Sequence, residues 1–405
     1  MTLLKLLTYA AMPTYGQIAW RRVPVLGRQC ILLNCRHATK IQKNLAIIPA
    51  AYAILMGSMK LIKGMGDFFA LDIGTNAIRV VQLKKAGSGW ALEHYGYAPI
   101  DSRLTSSDSE EARRKVGEVI MTAVGQSGIK AKNVVIGLHS NKTFTTVIDV
   151  PMASESELKA TMKYQIDQYI PMSVEDAKVD WALLGGSLAA QNQQEVLLSS
   201  VANQYSEDRL ELVESLGLNV VAAEPDPIAM VRALTVPGAA GAVLQMDMGE
   251  NSTDIAIVYG DAPRLIRTIP TGISSLVKAT VSNLNVQEDQ ARQFILKFGL
   301  APDRLEGQML RALESSLDNF AAEVTKSIKF FETRYPSVAV DGVLVTGFAA
   351  TVPQFSQYLA GKIGKQAQVA NPWQGVQVSD NDQRQLAAVA MEFSTAIGLA
   401  KRGAE

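Results

Sequence analysis

FALDIGTNAIRVVQLK, residues 69–84, is the stretch that decides the fold of this chain. Apolar residues stand at both ends, and Gly74, Thr75 and Asn76 separate them, which predicts a β-hairpin with a tight turn. Glycine lets a backbone come close to a ligand. The N–H groups of the turn and the Thr75 hydroxyl can then face a phosphate, while Asp72 is placed to hold Mg²⁺ through water.

A second stretch repeats this pattern in the other half of the chain. Residues 244–258, LQMDMGENSTDIAIV, again place an aspartate, Asp247, and a glycine, Gly249, between two apolar arms. A single hairpin of this kind is a common structural element and does not by itself indicate a ligand site. Asp72 and Asp247 stand 175 positions apart, so each hairpin can begin one half of a duplicated architecture. Two such turns facing each other across a cleft would clamp one polyphosphate.

Length and charge limit the fold and the partners. The chain has 405 residues, of which 48% are hydrophobic, and this is enough for two substantial cores. The formal net charge is zero, but residues 1–66 carry nine basic and no acidic side chains, which leaves 30 basic against 39 acidic in the rest. A body this acidic is a poor candidate for binding a nucleic-acid backbone, so no nucleic-acid partner is expected.

The basic leader, residues 1–64, contains an apolar run at 45–57. That run has 13 residues and includes Pro49, whereas a membrane span needs about 20. An organellar transit peptide and a membrane-surface segment are alternatives. We favour a start of translation at Met59 or Met65, so that the leader is either disordered or a mis-assigned start.

Several kinds of site are disfavoured by composition. Cys30 and Cys35 both lie in the leader, and a pair with this spacing and no histidine cluster is a poor zinc signal. The three histidines are scattered and match no metal or triad spacing. Neither GxxxxGK[ST] nor GxGxxG occurs, which argues against P-loop and standard Rossmann sites. Nothing requires disulfides, and a reducing cytosol fits.

The order of the predicted elements indicates an α/β fold. After the first hairpin we expect a strand at 91–98, a polar loop, a helix at 110–126 and a strand at 133–138. Residues 139–224 are predicted as an inserted module, with a helix that Ser154 caps and that runs to about residue 169. Its apolar face is expected to pack on its own sheet and consists of Leu158, Met162, Ile166 and Tyr169 or Ile170.

The second half is predicted to repeat this scheme. A short helix at 227–234 leads to a boundary at 237–241, and the second hairpin follows. Thr271-Gly272 precedes a helix, residues 287–335 are mostly helical, and the buried strand VLVT runs straight into Gly347. A strand end that opens into a small-residue turn at a helix start is a good place for a nucleotide.

These motifs resemble, in order, the nucleotide-binding motifs of the actin, Hsp70 and sugar-kinase superfamily. Within it the chain is similar to the PilM family, the actin-like ATPases of type IV pilus assembly. The resemblance covers residues 67–400. It is carried by LDIGTNAIRVVQLKK, by YQIDQYIPMSVEDAKVDW at 164–181, by AAEPDPIAMVRAL at 222–234 and by IKFFET.

The resemblance implies an actin-like ATPase fold of the α/β class, with two lobes that are each built on a mixed β-sheet with helices. It also implies an FtsA-like inserted subdomain in place of the second small subdomain of actin. The expected division is a first lobe at 65–138 together with 225–240, an insert at 139–224, and a second lobe at 241–405.

ATP and Mg²⁺ are the ligands that the resemblance implies, bound in the cleft between the lobes. By position, the first phosphate loop would comprise Asp72, Gly74, Thr75 and Asn76, with Arg79 near where many relatives have a lysine. The second would comprise Asp247, Gly249, Asn251, Ser252 and Thr253, and the sugar and base would lie among Thr271, Gly272, Gly347, Phe348 and Ala349. Asp72 and Asp247 would hold the metal, and Asp247 would orient water or Mg²⁺ if hydrolysis occurs.

Two departures from the family pattern bear on activity. Relatives commonly have paired glycines where this chain has Thr271-Gly272 and Gly347-Phe348. Phe348 is bulky at a point of close backbone approach, so we expect it to stack on the base or to narrow the pocket. Nucleotide binding is therefore expected more firmly than turnover, and any hydrolysis is expected to be slow.

The resemblance also implies partners and a location. The expected partner is the N-terminal peptide of a PilN-like bitopic inner-membrane protein, docked on the module at 139–224, with pilus assembly ATPases as further partners. The protein would be cytoplasmic and would meet the membrane only through partners. The alternatives are an FtsA-like protein, a GspL-like protein of type II secretion, and a small-molecule kinase, which would need a general base for a substrate hydroxyl.

Overall fold

The computed structural model describes residues 67–87 and 89–402. The predicted leader, its two cysteines and its apolar run lie outside the described residues. Within the described part of the chain, no helix combines the length and the apolar character that a bilayer span requires.

Strands and helices alternate along the described chain. The strands are β1 (Phe68–Ile73), β2 (Ala77–Ala86), β3 (Gly89–Pro99), β4 (Asn133–Leu138), β5 (Thr143–Pro151), β6 (Ala177–Gly186), β7 (Gln193–Ala202), β8 (Asn219–Pro225), β9 (Ala242–Met248), β10 (Thr253–Tyr259), β11 (Ala262–Ile269), β12 (Val340–Gly347), β13 (Gln366–Val369) and β14 (Val376–Gln377). The α-helices are Ser102–Thr105, Glu110–Ser127, Glu155–Gln165, Asn203–Ser215, Asp226–Leu234, Ile273–Leu284, Glu288–Phe298, Gln308–Arg334, Phe348–Thr351, Phe355–Ile363, Asp380–Leu386 and Ser394–Ala400.

Three sheets organise these elements. The first has the order β14-β3-β2-β1-β4-β8, the second β11-β10-β9-β12-β13, and the third β5-β7-β6. In the first sheet β1 pairs antiparallel with β2 and parallel with β4. In the second, β9 pairs in the same two ways with β10 and β12. Two mixed sheets that repeat one scheme confirm the predicted α/β fold class.

Strand β1 is apolar almost throughout because both of its faces are covered. Phe69 and Leu71 pack in one hydrophobic cluster, and Phe68 and Ala70 pack in another on the opposite face. Alternation along a strand sends neighbouring side chains to opposite faces, so a strand with cover on both sides reads as a continuous apolar run. Asp72 falls on the same face as Phe68 and Ala70.

One hydrophobic cluster joins the inner faces of the two large sheets. Ala256 of β10 belongs to the same cluster as Ala70 of β1, and residues of the helices Asp226–Leu234 and Ser394–Ala400 complete it. On β9 the residues of the opposite face, among them Met246, pack in the core of the second lobe. Asp247, one residue after Met246, therefore projects towards the first lobe, as Asp72 projects towards the second.

The third sheet and its helix form the insert. The side chain of Ser154 accepts from the N–H of Glu157, whose carboxylate in turn accepts from the N–H of Ser154, so the predicted helix start is confirmed as a capping box. The predicted apolar face packs against β5 and β7, as expected. The α-helix ends at Gln165, and a 3₁₀ turn, Ile166–Gln168, follows it.

Three local expectations need correction. Strand β6 was not predicted, and neither was β8, which lies inside the predicted insert of residues 139–224 yet pairs with β4 in the first sheet. Likewise β14, inside the predicted second lobe, pairs with β3 of the first sheet. The predicted polar loop at 101–110 contains the helix Ser102–Thr105, whose first turn Asp101 caps. Pairing between strands far apart in sequence leaves little local signal, which is why the places of β8 and β14 were missed.

Candidate functional site

The two hairpin turns line one crevice between the lobes. Asp72 stands near the end of β1 and Asp247 near the end of β9, and each strand leads into its turn. The lining comprises Asp72, Gly74, Thr75, Asn76, Arg79, His139, Asp226, Asp247, Met248, Gly249, Glu250, Asn251, Ser252, Asp254, Gly347, Phe348, Glu392 and Thr395. Most of the residues proposed from the sequence are thus brought together.

At the first turn an ion pair links the two strands of the hairpin. Asp72 and Arg79 are register partners, and Arg79 Nη1 lies 3.3 Å from Asp72 Oδ2. A Cβ added at Gly74 would come within 2.6 Å of Arg79 Nη1, so the glycine makes room for the guanidinium. Arg79 also forms an ion pair with Glu392, and each of the three side chains is less than one tenth exposed. The first turn therefore carries its own neutralising cation.

At the second turn the same register position holds a carboxylate instead. Asp254 is the register partner of Asp247, so two aspartates face each other across the hairpin. Burial raises the pKa of Asp247 to about 7, and the charge of Asp254 adds to this shift. Burial also raises the pKa of Asp254 to about 6, although the Thr268 hydroxyl donates to its Oδ1 at 2.7 Å. Like charges that face each other are destabilising, so this turn attracts a cation or a proton.

Two further titratable groups border the crevice and were missed by sequence reasoning. Asp226 lies at the start of the helix that follows β8, and its Oδ1 is buried without a hydrogen-bond partner. Burial and the charge of Asp72 raise the pKa of Asp226 well above its usual value. His139 Nε2 lies 3.4 Å from the Thr75 hydroxyl, and burial together with the nearby Arg209 lowers the pKa of His139 to about 4. The imidazole is therefore neutral at physiological pH.

Four of the proposed site residues do not line the crevice. Thr253 is fully buried, and its hydroxyl donates to the carbonyl of Thr271 at 2.7 Å. A Cβ on Gly272 would come within 2.4 Å of the Glu250 carbonyl, so the Thr271-Gly272 turn packs behind the second hairpin turn. Ala349 is part of the core of the second lobe. These residues support the turn from behind.

The helix that follows this turn also supports the second hairpin. The N–H of Ile273 donates to the Gly249 carbonyl at 3.1 Å, and the N–H of Ser274 donates to the Glu250 carbonyl at 3.0 Å. These first N–H groups of the helix Ile273–Leu284 therefore hold the turn and are not free for a ligand.

Gly347 is required where β12 meets the crevice. Its φ is +67°, and an added Cβ would come within 2.2 Å of Asp247 Oδ1. The next residue, Phe348, lines the crevice while mostly buried, and the guanidinium of Arg292 lies 5.9 Å from its ring centroid. Phe348 is thus part of the wall of the crevice. That it narrows the pocket or stacks on a base stays a prediction.

The donor set suits a hard cation, although it forms no closed cage. Carboxylate oxygens are the ligands that Mg²⁺ prefers, and Mg²⁺ usually keeps several waters and binds one or two carboxylates. Within the described residues, no three His, Cys, Asp or Glu side chains come together as a metal-binding group. Asp247 and Asp254 face each other without an ion-pair partner among the described residues, although the charge of Arg79 offsets part of the rise in the pKa of Asp247 that burial causes. This pair fits a metal held largely through water.

Part of the missed chemistry had a signal in the sequence. Asp254 follows Asp247 at the interval by which Arg79 follows Asp72, so aligning the two hairpins would have found it. Asp226 lies inside the stretch AAEPDPIAMVRAL. Glu392 had no such signal, because 313 residues separate it from Arg79.

The fold and the crevice define the class: a two-lobed α/β protein with the actin-like ATPase fold and an acidic crevice between its lobes. The family described as type IV pilus assembly protein PilM matches residues 70–404. The chain belongs to this PilM family.

One solved structure supports the fold, and a second is more distant. A chain of a PilM-PilN type IV pilus biogenesis complex is 22% identical and superimposes with a TM-score of 0.71, covering 84% of this chain and 100% of that one. The ethanolamine utilization protein EutJ from Carboxydothermus hydrogenoformans is 17% identical, with a TM-score of 0.48, covering 91% of this chain and 100% of that one.

Proposed function

We propose that this pilus assembly protein binds ATP with Mg²⁺ between its lobes and docks the N-terminal peptide of a PilN-like inner-membrane protein. One observation carries the nucleotide part: the turns of two hairpins from separate sheets border the same crevice, each with an aspartate beside it. Turns of this kind present N–H groups to phosphate, and carboxylates beside them hold the accompanying metal.

The turns are braced so that their remaining groups can bind. The N–H of Gly74 donates to the Ala77 carbonyl, and the N–H of Gly249 donates to the Ser252 carbonyl. Phosphate contacts would therefore fall to the N–H groups that follow each glycine and to the Thr75 hydroxyl. Bound Mg²⁺ would supply the positive charge that the acidic second turn lacks.

The size of the crevice implies movement on binding. Its cavity volume is about 80 Å³, whereas small-molecule sites usually enclose roughly 300–1,000 Å³. The lobes would have to open for the sugar and base to enter. Nucleotide binding would then be coupled to the angle between the lobes, which is how a scaffold of this class can report its ligand state to a partner.

The test of nucleotide binding is calorimetric titration of ATP with excess Mg²⁺. Asp247→Asn should weaken binding by about tenfold or more, because it removes a metal-facing charge from a buried position. The matched control is Asp318→Asn, at an exposed carboxylate paired with Lys362, which should bind as the wild type does. Equal affinity in all three proteins would contradict the assignment of Asp247, and no binding by the wild type would contradict the nucleotide site.

Hydrolysis, if present, would be slow and would depend on Asp247. The burial that raises its pKa to about 7 leaves this carboxylate partly protonated at neutral pH, unless a bound cation favours the charged form. A carboxylate with a pKa near the operating pH can orient water or metal and can also accept a proton from that water.

Partner docking is proposed for the insert. In the order β5-β7-β6 strand β6 ends the sheet, so one of its backbone edges has no strand partner among the described residues. A short extended peptide can add to such an edge. Membrane contact would come through this partner, which would hold the protein on the cytoplasmic side of the inner membrane, and pilus assembly ATPases are further proposed partners.

Amide hydrogen exchange tests the docking proposal. On addition of the N-terminal peptide of a candidate PilN-like protein, the amides of β6 should gain protection. Strand β13, which ends the five-stranded sheet, serves as the matched control and should not change. Co-purification of the peptide without protection at β6 would place its site elsewhere, and failure to bind with and without Mg²⁺ nucleotide would count against the pilus partner.

A further inference from the structure

In the described part of the chain, the lining of the crevice has more acidic than basic side chains. Among the described residues, its lining includes six carboxylates, one of which, Glu250, is paired with Arg292, and Arg79 is the only lysine or arginine of the lining. The carboxylates belong to Asp72, Asp226, Asp247, Glu250, Asp254 and Glu392. His139 adds no charge near neutral pH, since burial lowers its pKa to about 4. Among the described side chains that line the crevice, Arg79 is therefore the one full positive charge that a phosphate without a metal would meet, besides the N–H groups of the turns.

That one guanidinium is already engaged on two sides. Its Nη1 pairs with Asp72 at 3.3 Å, and its Nη2 forms the ion pair with Glu392 and lies 3.4 Å from Asn76 Oδ1. The carboxylate of Glu392 also accepts from the Tyr97 hydroxyl at 3.4 Å. Glu392 thus presents to Arg79 the same chemistry that a phosphate oxygen would present.

Glu392 reaches this position from the far end of the chain. It lies on the 3₁₀ helix Ala390–Phe393, which contacts β12 and the helix Phe348–Thr351 of the second lobe. Arg79 belongs to β2 of the first lobe. The neighbouring Phe393 packs against Tyr95 and Tyr97 of β3, so this 3₁₀ helix contacts both lobes. The ion pair lies in the wall of the crevice that an incoming anion would meet.

We propose that Glu392 is a specificity-determining residue of the crevice: it occupies Arg79, the one lysine or arginine among the described residues of the lining, and so makes the binding of a polyphosphate depend on a divalent cation that arrives with it. This inference rests on the proposed binding of ATP with Mg²⁺ and adds the residue that makes this binding depend on the metal. The physical reason is charge balance. The metal complex brings the positive charge that Glu392 removes, whereas the free anion must displace a buried ion pair within a negative field.

The experiment compares ATP binding in excess Mg²⁺ and in EDTA by calorimetric titration of the full chain. In the wild type, removal of the metal should weaken binding by about a hundredfold or more. In Glu392→Gln, the loss of ATP affinity on removal of the metal should be about tenfold smaller than in the wild type, because the guanidinium of Arg79 is then free to attract the metal-free anion. Glutamine keeps an oxygen that can accept from Arg79, so the variant should fold, and thermal unfolding checks this. Glu118→Gln, at an exposed ion pair with Arg114, is the matched control and should behave as the wild type.

Two further variants separate the role of Arg79 from general repulsion. In an Arg79→Gln background, Glu392→Gln should give no gain in metal-free binding, because there is no guanidinium to release. Glu392→Asp keeps the negative charge but moves it away from Arg79. Its gain in metal-free ATP binding should therefore be smaller than that of Glu392→Gln.

The outcomes are distinct. Equal metal dependence in the wild type and Glu392→Gln would overturn the proposal while leaving the nucleotide site intact. A gain of equal size with and without Arg79 would overturn the part assigned to that residue. Absence of ATP binding by the wild type under both conditions would overturn the proposed function, and this inference with it.

Discussion

The two hairpins share a backbone plan and differ in charge. In the first, the residue opposite the aspartate is Arg79, whereas in the second it is Asp254. The first turn is thus neutralised within its own strand pair, while the second leaves two buried carboxylates facing each other. The two turns therefore have the same geometry and different electrostatics. One holds a cation of the protein, and the other is suited to a cation from solution.

The largest expected effect comes from removing the internal cation of the first hairpin. Arg79→Gln leaves Asp72 and Glu392 without an ion-pair partner, and each of these side chains is less than one tenth exposed. We expect the free energy of unfolding to fall by about 3 kcal/mol. Chemical denaturation measures this. Arg114→Gln, at an exposed ion pair, should change little, and an equally small effect at Arg79 would show that the first turn does not depend on its arginine.

The second hairpin should respond in the opposite direction. Asp254→Asn removes one of the two facing carboxylates and retains an oxygen that accepts from Thr268, so it should stabilise the protein by about 1–2 kcal/mol above pH 7. The side chain of Asp254 has an ordinary pKa of 3.8, and burial raises its folded-state pKa to about 6. A raised carboxyl pKa costs nothing below the unfolded value, and its cost grows as pH rises through the folded value.

The pH dependence gives the sharper measurement. The difference in melting temperature between Asp254→Asn and the wild type should be near zero at pH 4, should rise up to about pH 6, and should then level off. In Asp318→Asn the replaced carboxyl has a lowered pKa, because Lys362 donates to it, so any difference should have the opposite sign. If the difference in melting temperature between Asp254→Asn and the wild type does not change with pH, the two facing carboxylates are not buried from solvent.

The smallest expected effects distinguish Thr75 from Thr253, both of which were predicted from the sequence as phosphate-loop residues. Thr253→Val removes a fully buried hydroxyl that donates to Thr271, and it should cost about 1 kcal/mol of stability. Thr75→Val loses only the long contact with His139, so it should cost less stability and should weaken ATP binding more. Thermal unfolding and calorimetry on both variants check this, and equal effects on binding would show that the two positions are equivalent.

Sequence alone determined the hairpins, the mixed sheets and the placement of Asp72 and Asp247. The alternation of a strand and the residues of a turn depend on only a few neighbouring positions. Their patterns can therefore be recognised without knowing which other elements pack against them. For the same reason the capping box at Ser154 and the apolar face of the insert helix were predicted correctly.

Only the tertiary structure decided which side chains meet. Packing placed β8 and β14 on the first sheet, set Thr253, Thr271 and Gly272 behind the second turn, and brought Glu392 to Arg79 across 313 residues. Such contacts depend on how whole elements bury their apolar faces against each other, and no local pattern in the sequence encodes that choice.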